Sequence, residues 1–390
     1  MLVNPAFVYS FVWGLALLLY TQYWSNVFLE LSNLTIYYIL CSMFVTIVSW
    51  FFFIVTTKST RIGFTRISYA FSHHSEKKIK IFFKIWMVGM LVELLYFRDL
   101  PILSLVGLSN MSYHDFGLPS LHGFLNAIIL SISMYMLYQY TLYNKKIYLF
   151  YYFSTLLVPI VQMNRGMLTS LLIESLFVIL VFRNIKIKTI VKIIFFILLF
   201  IYAFGIFGEL RYSGNANDLY AVFQISDYFP EFLPKSIMWV YMYITSSINN
   251  IENIISNFSD VNFEPYKAMF GLIPSVIRVY LEMPIQQDLV QEAFNVSSFM
   301  PNYLGAFGIY GSILFYFISS LITMAIYYRY TKKFELSFGF TLVILLHSIA
   351  LSVFSDFFAL QVYVFQIIIQ FIIFSKIKFN LQNRNTYVQQ

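Results

Sequence analysis

The sequence predicts an all-α membrane protein: a polytopic bundle of about ten transmembrane helices with one large loop on its outer side. Three observations predict this class. Hydrophobic residues make up 59% of the 390-residue chain and charged residues only 11%, whereas soluble proteins carry about 25% charged residues. Apolar runs of about 20 residues, the length that spans a bilayer core, alternate with short basic connectors. One polar stretch of about 90 residues, Leu210 to Met300, interrupts that alternation.

The apolar runs define the expected helices: 5–24, 35–56, 82–97, 120–142, 147–163, 166–182, 189–209, 302–328, 337–355 and 357–375. They divide the chain into membrane helices one to seven (1–209), the large loop (210–301), helices eight to ten (302–376) and a tail (377–390). The first run lacks a basic leader and a cleavage site, which favours a retained helix over a signal peptide. The Asn164-Arg165-Gly166 joint predicts a tight turn between helices five and six.

Lysine and arginine are distributed unevenly between the connectors. Nineteen of the 25 fall on one side, which the positive-inside rule identifies as the cytoplasm. Both termini are therefore expected to be cytoplasmic, and the connectors 98–119 and 210–301 are expected to face outward. The net charge of +7 follows from this distribution, so it indicates a membrane topology and not a nucleic-acid partner.

Four arginines remain on the outer side, where positive charge is disfavoured: Arg98, Arg165, Arg211 and Arg278. Each lies close to a predicted helix end or segment boundary. A single arginine in such a place can snorkel to the interface or form a local ion pair. The guanidinium is also the group best suited to bidentate phosphate recognition. Taken together, the four arginines favour a shared anionic ligand.

Several polar side chains lie inside the apolar runs: Glu93, Glu174, His122, Asn126 and His347. An ionisable group at this depth normally faces the protein interior or a water-filled cavity. The alternative is that these groups form hydrogen bonds between helices and hold the bundle together. His122 and Asn126 lie one turn apart on one helix face, and Ser170 and Glu174 form a similar pair.

The large loop carries many aromatic residues and is segmented by prolines. Within it, the stretch 235–248 is apolar but too short to span a bilayer, which predicts a helix in or near the membrane interface. Aromatic rings such as Tyr266 occur with amides and carboxylates such as Asn249, Asn250 and Glu252. This combination suits sugar binding, because a pyranose presents both a C–H face and hydroxyls. Anchoring of the aromatic rings at the interface is the alternative.

No sequence motif for a cofactor is present. The chain has neither an Asp-x-Asp element nor a phosphate-binding glycine loop, and His114-Asp115 lacks further ligands at metal spacing. The single cysteine, Cys41, excludes an intramolecular disulfide and a cysteine-based metal site. We therefore expect chemistry without a metal, a nucleotide or another cofactor.

The layout and four local patterns give the chain a family resemblance. The patterns are FGLPSLH (116–122), Asn164-Arg165-Gly166, Arg211 just after helix seven, and SFMPNYLGAFGIYG (298–311). In these features the chain resembles the bacterial O-antigen polymerases, and more broadly the oligosaccharide repeat-unit polymerases. The resemblance covers most of the chain in layout, with many helices and one large periplasmic loop in the second half.

The resemblance implies a multi-pass protein of the bacterial inner membrane that acts as a metal-independent glycosyltransferase. A growing glycan on undecaprenyl pyrophosphate would be transferred to a new lipid-linked repeat unit, in cooperation with a chain-length regulator. For the pyrophosphate we expect Arg165, Arg211 and Arg278, with Arg98 as a fourth. The candidate general bases are His122, Glu209 and Asp288.

Two other functions are compatible with the sequence. An O-antigen ligase uses the same donor and a similar architecture. A lipid-linked oligosaccharide flippase would favour more helices, internal symmetry and cationic residues deep in the bundle.

The glycines Gly305, Gly308 and Gly311 recur every third residue in helix eight. Their spacing predicts close helix packing, with backbone approach to a ligand as the alternative.

Overall fold

The structure of the chain is a computed structural model. It describes residues 2–57, 73–108, 111, 115–183, 191, 192, 195, 199, 202, 205, 222–257, 265–278, 280–281, 289–290, 296–333 and 335–375.

The described residues form twelve α-helices, numbered here in chain order: α1 Pro5–Tyr20, α2 Asn33–Thr57, α3 His73–Phe97, α4 Leu121–Tyr143, α5 Lys146–Val161, α6 Arg165–Phe182, α7 Ile237–Ser256, α8 Pro265–Ala268, α9 Ser275–Arg278, α10 Met300–Lys333, α11 Leu336–Ala350 and α12 Gln361–Phe374. Two 3₁₀ helices lie at Pro101–Val106 and Phe270–Leu272. Four of the α-helices, α2, α4, α6 and α10, are long and apolar enough to cross a membrane. Four more, α1, α5, α11 and α12, are apolar but shorter. The fold is that of an all-helical membrane protein.

Nine of the expected spans correspond to observed helices, α1–α6 and α10–α12, with shifted ends. For example, α3 begins at His73 and not at residue 82, and α11 ends at Ala350 and not at residue 355. The seventh expected span, 189–209, lies mostly outside the described residues. The six residues that are described there, 191, 192, 195, 199, 202 and 205, are helical.

The helix ends have local causes that can be read from the sequence. The side chain of Asn4 accepts a hydrogen bond from the backbone N–H of Ala6, and Pro5 occupies the first turn of α1, where a missing N–H costs nothing. The Asn164 side chain caps α6 in the same way, by accepting from the N–H of Met167 at 2.9 Å. The tight turn predicted at 164–166 is confirmed, since only three residues separate α5 from α6.

The helices bring two distinct sets of connectors together at the two ends of the bundle. At one end, called here the loop end, Ser226 N–H donates to the carbonyl of Trp24 at 3.0 Å and Phe299 N–H to that of Ser352 at 3.0 Å. At the opposite end the Lys78 ammonium donates to the carbonyl of Ser375 at 2.6 Å. The described contacts at the loop end join segments that the charge distribution places outside, and the contact between Lys78 and Ser375 joins segments that it places inside.

Helix α10 contains a break at Gly308, and this corrects the interpretation of the glycine repeat. Gly308 has φ 69° and ψ −178°, a conformation that is essentially restricted to glycine. A Cβ added at Gly305 would meet open space, and one at Gly311 would contact only Phe307 of the same helix. The glycines therefore do not form a packing face against another helix. The prediction of close packing is wrong, because Gly308 instead serves to break the helix near the loop end.

Helix α7 is the main structural element of the described part of the large loop. It extends further than the expected 235–248 segment, and it packs against α1. Its buried face includes Met238, Tyr241 and Met242, which form a small apolar cluster with Phe223. Because this face is covered by protein, α7 fastens the loop to the bundle.

Candidate functional site

The centre of the candidate site is a hydrogen-bonded pair between α3 and α4 at the loop end. His122 Nδ1 lies 3.0 Å from Glu93 Oε2, and the Glu93 side chain is fully buried while that of His122 is 20% exposed. The second carboxylate oxygen of Glu93 accepts a hydrogen bond from the backbone N–H of Leu118 at 3.0 Å. Glu93 therefore acts as an acceptor on both oxygens, and His122 Nδ1 is the natural donor to it. This leaves His122 Nε2 as the ring nitrogen with a free lone pair.

The segment 116–122 has a conformation that is built around this histidine. Gly117 has φ +114°, and a Cβ at that position would lie 2.4 Å from Cγ of His122. Glycine is required there both for the backbone conformation and for the space that the imidazole fills. The ring of Phe116 packs edge-on against the imidazole, with centroids 5.8 Å apart. Gly117 and Phe116 of the pattern FGLPSLH therefore fix the orientation of His122 together with Glu93.

A second contact joins this segment to the large loop. Ser120 Oγ lies 3.0 Å from Ser275 Oγ, the first residue of α9. Ser120 itself has φ 65° and ψ −38°, a strained conformation for a residue other than glycine. The contact lies two residues from His122 and three residues from Arg278. The structure thus brings the predicted base His122 and the predicted phosphate ligand Arg278 to one region.

The loop segment that carries Arg278 is fixed in place by the connector before α12. Gln361 Nε2 donates to the carbonyl of Leu272 at 2.9 Å. At Gly271 a Cβ would lie 2.3 Å from the carbonyl oxygen of Ala359, so the two backbones are in direct contact. Tyr266, in α8 of the same segment, leaves 47% of its surface exposed. Its ring is available at the loop end, as sugar binding requires.

The three described arginines of the predicted phosphate set all lie at the loop end. Arg98 and Arg165 are exposed, at the end of α3 and the start of α6, and Arg278 lies partly buried over the ring of Phe270 at 5.8 Å. Within the described part of the chain none of the three forms an ion pair with a carboxylate. Their guanidinium groups are therefore available to an anion.

The connector between α11 and α12 holds a buried carboxylate that sequence reasoning missed. Asp356 is buried, accepts a hydrogen bond from the N–H of Ala359 at 3.2 Å, and lies 3.5 Å from polar atoms of Asn302 and Tyr303. Burial raises the pKa of Asp356 to about 6, and these hydrogen bonds act in the opposite direction. Asn302 and Tyr303 belong to the stretch 298–311. This pair of polar side chains in an apolar stretch was the sequence signal that could have indicated a buried polar partner such as Asp356. Glu93 was identified as a buried polar group, but its pairing with His122 was not predicted.

The amides and the carboxylate of α7 have a structural role, which corrects their assignment to sugar binding. Asn249 Oδ1 accepts hydrogen bonds from Leu29 N–H at 2.9 Å and Tyr20 O–H at 3.0 Å. Glu252 Oε2 accepts from Ser32 N–H at 2.9 Å and Ser32 O–H at 3.0 Å. Burial acts to raise the pKa of Glu252, but hydrogen bonds from Ser256 and Ser32 outweigh it and lower the pKa. These groups are buried and bonded to the α1–α2 connector.

Asn250 of α7 is likewise occupied by the protein itself. Its amide donates to the Val296 carbonyl at 2.8 Å and accepts from Val290 N–H at 3.1 Å.

Three predicted site residues, Glu209, Arg211 and Asp288, lie outside the described residues, as does His114. Among the described residues no group of three His, Cys, Asp or Glu side chains is placed to hold a metal ion.

The arrangement can supply a base, free cationic groups and an exposed aromatic ring at one end of an apolar helical bundle. In comparisons with protein-family models, curated proteins and solved structures, nothing matches the chain.

Proposed function

We propose that the protein is a membrane glycosyltransferase that polymerises lipid-pyrophosphate-linked oligosaccharide repeat units into O-antigen or a related surface polysaccharide. The observation that carries this proposal is the His122–Glu93 pair beside the segment that holds Arg278. A glycosyl transfer from a pyrophosphate donor needs a base for the acceptor hydroxyl and positive charge for the departing pyrophosphate. The loop end offers both kinds of group.

In the proposed reaction His122 acts as the general base. Its Nε2 takes the proton from the acceptor sugar hydroxyl while the hydroxyl oxygen attacks the anomeric carbon of the donor. Glu93 accepts the Nδ1–H bond, fixes the tautomer, and stabilises the imidazolium that forms. Because Glu93 is fully buried and held by Leu118 N–H, it positions His122 and does not contact the substrate.

The bond between the anomeric carbon and the pyrophosphate oxygen breaks in the same step, and the charge that develops on the pyrophosphate is stabilised by arginine. Arg278 is linked to the segment of His122 through the contact between Ser120 and Ser275. Arg98 and Arg165 lie at the same end, and Arg211 remains a predicted ligand outside the described residues. Tyr266 is proposed to contact a sugar ring.

For the topology we propose about ten membrane helices, a periplasmic large loop and cytoplasmic termini in the bacterial inner membrane. The grouping of the connectors at two ends of the bundle supports this assignment, because the two groups match the two sides derived from lysine and arginine counts. A separate chain-length regulator is the proposed protein partner.

The lipopolysaccharide of a strain lacking the gene tests the proposal. A core that carries one repeat unit and no longer rungs is the expected result, since the donor is then exported and ligated but not extended. A bare core would contradict the proposal: it would indicate a flippase or, if long lipid-linked chains accumulate outside, a ligase. Complementation with Arg211→Ala is expected to restore membrane insertion but not chain extension.

A further inference from the structure

A polar ladder joins α6 to α12 inside the apolar bundle. It consists of two hydrogen bonds one helical turn apart: Ser170 Oγ lies 2.8 Å from Tyr363 O–H, and Gln366 Nε2 donates to Glu174 Oε2 at 2.8 Å. The ring of His347 from α11 packs against that of Tyr363, with centroids 4.8 Å apart and the planes tilted by 33°. We use the name polar ladder for Ser170, Glu174, Tyr363, Gln366 and His347. All five lie in the half of the bundle nearer the loop end.

Among the residues that the structure describes, several atoms of the ladder are buried and find no hydrogen-bond partner. They are Glu174 Oε1, Gln366 Oε1 and both ring nitrogens of His347. Glu174 is 1% exposed, and His347 and Gln366 are fully buried. A buried polar atom without a partner costs about 1–3 kcal/mol, and such atoms in native proteins are normally satisfied by internal water or an ion. Unpartnered atoms on Glu174 and His347, two groups that can both carry a proton, point to a small hydrated ligand between the helices.

The charge environment of Glu174 identifies this ligand. Helices α4, α11 and α12 contain no lysine or arginine, and the only one in α6 is Arg165, nine residues before Glu174, about 13 Å along the helix. In α5 the only basic residue is Lys146, at the opposite end of the bundle. An ionised carboxylate buried without a cation is strongly disfavoured. A proton on the carboxyl group removes that charge and provides a donor for internal water.

The titratable groups on the helices that pack against α6 agree with a protonated Glu174. Helix α12 presents Tyr363, α11 presents His347, and α5 presents Tyr152, which lies 2.8 Å from Ser175 Oγ, next to Glu174. In α4, His122 is bonded to Glu93 and the tyrosines lie in the half toward the opposite end: Tyr135, Tyr138, Tyr140 and Tyr143. Among these groups His347 is the neighbour whose two ring nitrogens both lack a hydrogen-bond partner in the described part of the chain.

We propose that the polar ladder is a hydrated proton-binding site, in which Glu174 carries a proton on Oε1 and shares internal water with the neutral imidazole of His347. The carboxyl O–H donates a hydrogen bond to the water, and the water donates to an unpartnered nitrogen of the neutral imidazole. No electron transfer or further reactant is involved. This property is independent of the transferase reaction, and it gives the membrane core of the protein a group whose charge responds to protons.

Infrared spectroscopy of the purified full-length protein in lipid nanodiscs tests the proposal. At neutral pH a C=O stretching band of a protonated carboxylic acid is expected, and Glu174→Gln should abolish it. Gln366→Leu should keep the band and move it to higher frequency, because the hydrogen bond to Oε2 is lost while Oε1 still carries the proton. Thermal unfolding of both variants shows whether they are folded, and Glu174→Asp serves as the carboxyl-preserving variant if Glu174→Gln does not fold.

Exchange into deuterated water tests the role of His347. In the wild type the band is expected to shift as the proton is replaced, and in His347→Phe that shift should be delayed. The absence of a protonated band at neutral pH in the wild type would overturn the proposal, and so would a carboxylate signal that responds to sodium ions, which would assign the site to a metal cation. None of these signals depends on glycan transfer, so their outcome is separate from that of the gene deletion.

Discussion

His122 Nδ1 and Glu93 Oε2 lie 3.0 Å apart, and the bond between them joins the loop-end termini of α3 and α4. Glu93 is fully buried and accepts a second hydrogen bond, so it cannot rotate away without losing both bonds. His122 keeps a partly exposed edge. One member of the pair is thus locked while the other is partly exposed, and this difference supports the proposed roles of Glu93 as the positioning group and His122 as the base.

Replacing the histidine should abolish most of the catalysis. We expect His122→Ala to lower kcat by about 10²–10⁴-fold, the usual contribution of a general base, with a small change in KM. Glu93→Gln should also lower kcat, because an amide cannot stabilise the imidazolium and can favour the wrong tautomer. The measurement is in vitro polymerisation with a lipid-linked repeat unit.

Thr141→Ala is the matched control for this pair of variants. Thr141 lies on the same helix near its other end and bonds only the carbonyl of Tyr138. The polymerisation activity of Thr141→Ala should equal that of the wild type. Wild-type activity in His122→Ala would refute the assignment of the base.

Gly117→Ala should disturb the site through His122 alone. The new Cβ would overlap the imidazole, at 2.4 Å from Cγ. An alanine with a positive φ would also cost about 1–2 kcal/mol of backbone strain. Gly107→Ala is the matched control, since Gly107 also has a positive φ but has nothing within 4 Å of its Cβ position. Both variants should lose some thermal stability, and only Gly117→Ala should lose activity. Equal activities would mean that the orientation of His122 is unimportant.

Arg278 should contribute through its charge and its planar shape. Arg278→Ala is expected to lower kcat/KM by about 10–100-fold, which corresponds to the loss of a charge-assisted hydrogen bond of about 1.5–3 kcal/mol. Arg278→Lys should recover part of this, because an ammonium retains the charge but not the bidentate geometry. As a control, Arg329→Ala removes an arginine that lies 3.9 Å from Glu335 at the opposite end and should leave kcat/KM unchanged. A similar loss in both alanine variants would exclude a specific role for Arg278.

The fold was largely predictable from the sequence, because bilayer thickness imposes a simple length rule on apolar runs. Nine described helices correspond to such runs, and the turn at Asn164 follows from its capping side chain. The break at Gly308 was not predictable. Three glycines at regular spacing look alike in a sequence, and only the backbone distinguishes the one with φ 69° from the two that are helical.

The site was predictable only in part, because it depends on contacts between segments far apart in the chain. His122 was found from its depth in the helix, whereas its partner Glu93 lies 29 residues earlier, and the contact from Ser120 to Ser275 spans 155 residues. The polar groups of α7 were assigned to a ligand since composition does not reveal that Asn249 and Glu252 bind the α1–α2 connector. A sequence lists polar groups, but only the fold shows which of them are already satisfied.

Gly308→Ala should destabilise the protein by about 1–3 kcal/mol, because alanine must adopt a conformation that is essentially restricted to glycine. Gly305→Ala is the control one turn earlier in the same helix. Its Cβ meets open space, so it should be neutral or slightly stabilising, as expected for alanine in a helix. Thermal unfolding in nanodiscs compares the two. Equal stability of the variants would mean that the break in α10 does not depend on Gly308.

Asp356 should make the stability of the protein depend on pH between about pH 4 and pH 6. Burial raises the pKa of its carboxyl group from 3.8 to about 6, so in this range the folded state holds a proton that the unfolded state has released. The contribution of Asp356 to stability is therefore greatest below about pH 4 and falls as pH rises through about 6, by up to about 3 kcal/mol. In Asp356→Asn this part of the pH dependence should disappear, while Glu231→Gln, at an exposed carboxylate of the large loop, should retain it. The measurement is the unfolding midpoint of each variant across this pH range. An unchanged pH profile in Asp356→Asn would show that Asp356 is ionised in the folded protein over the whole range and would contradict the prediction.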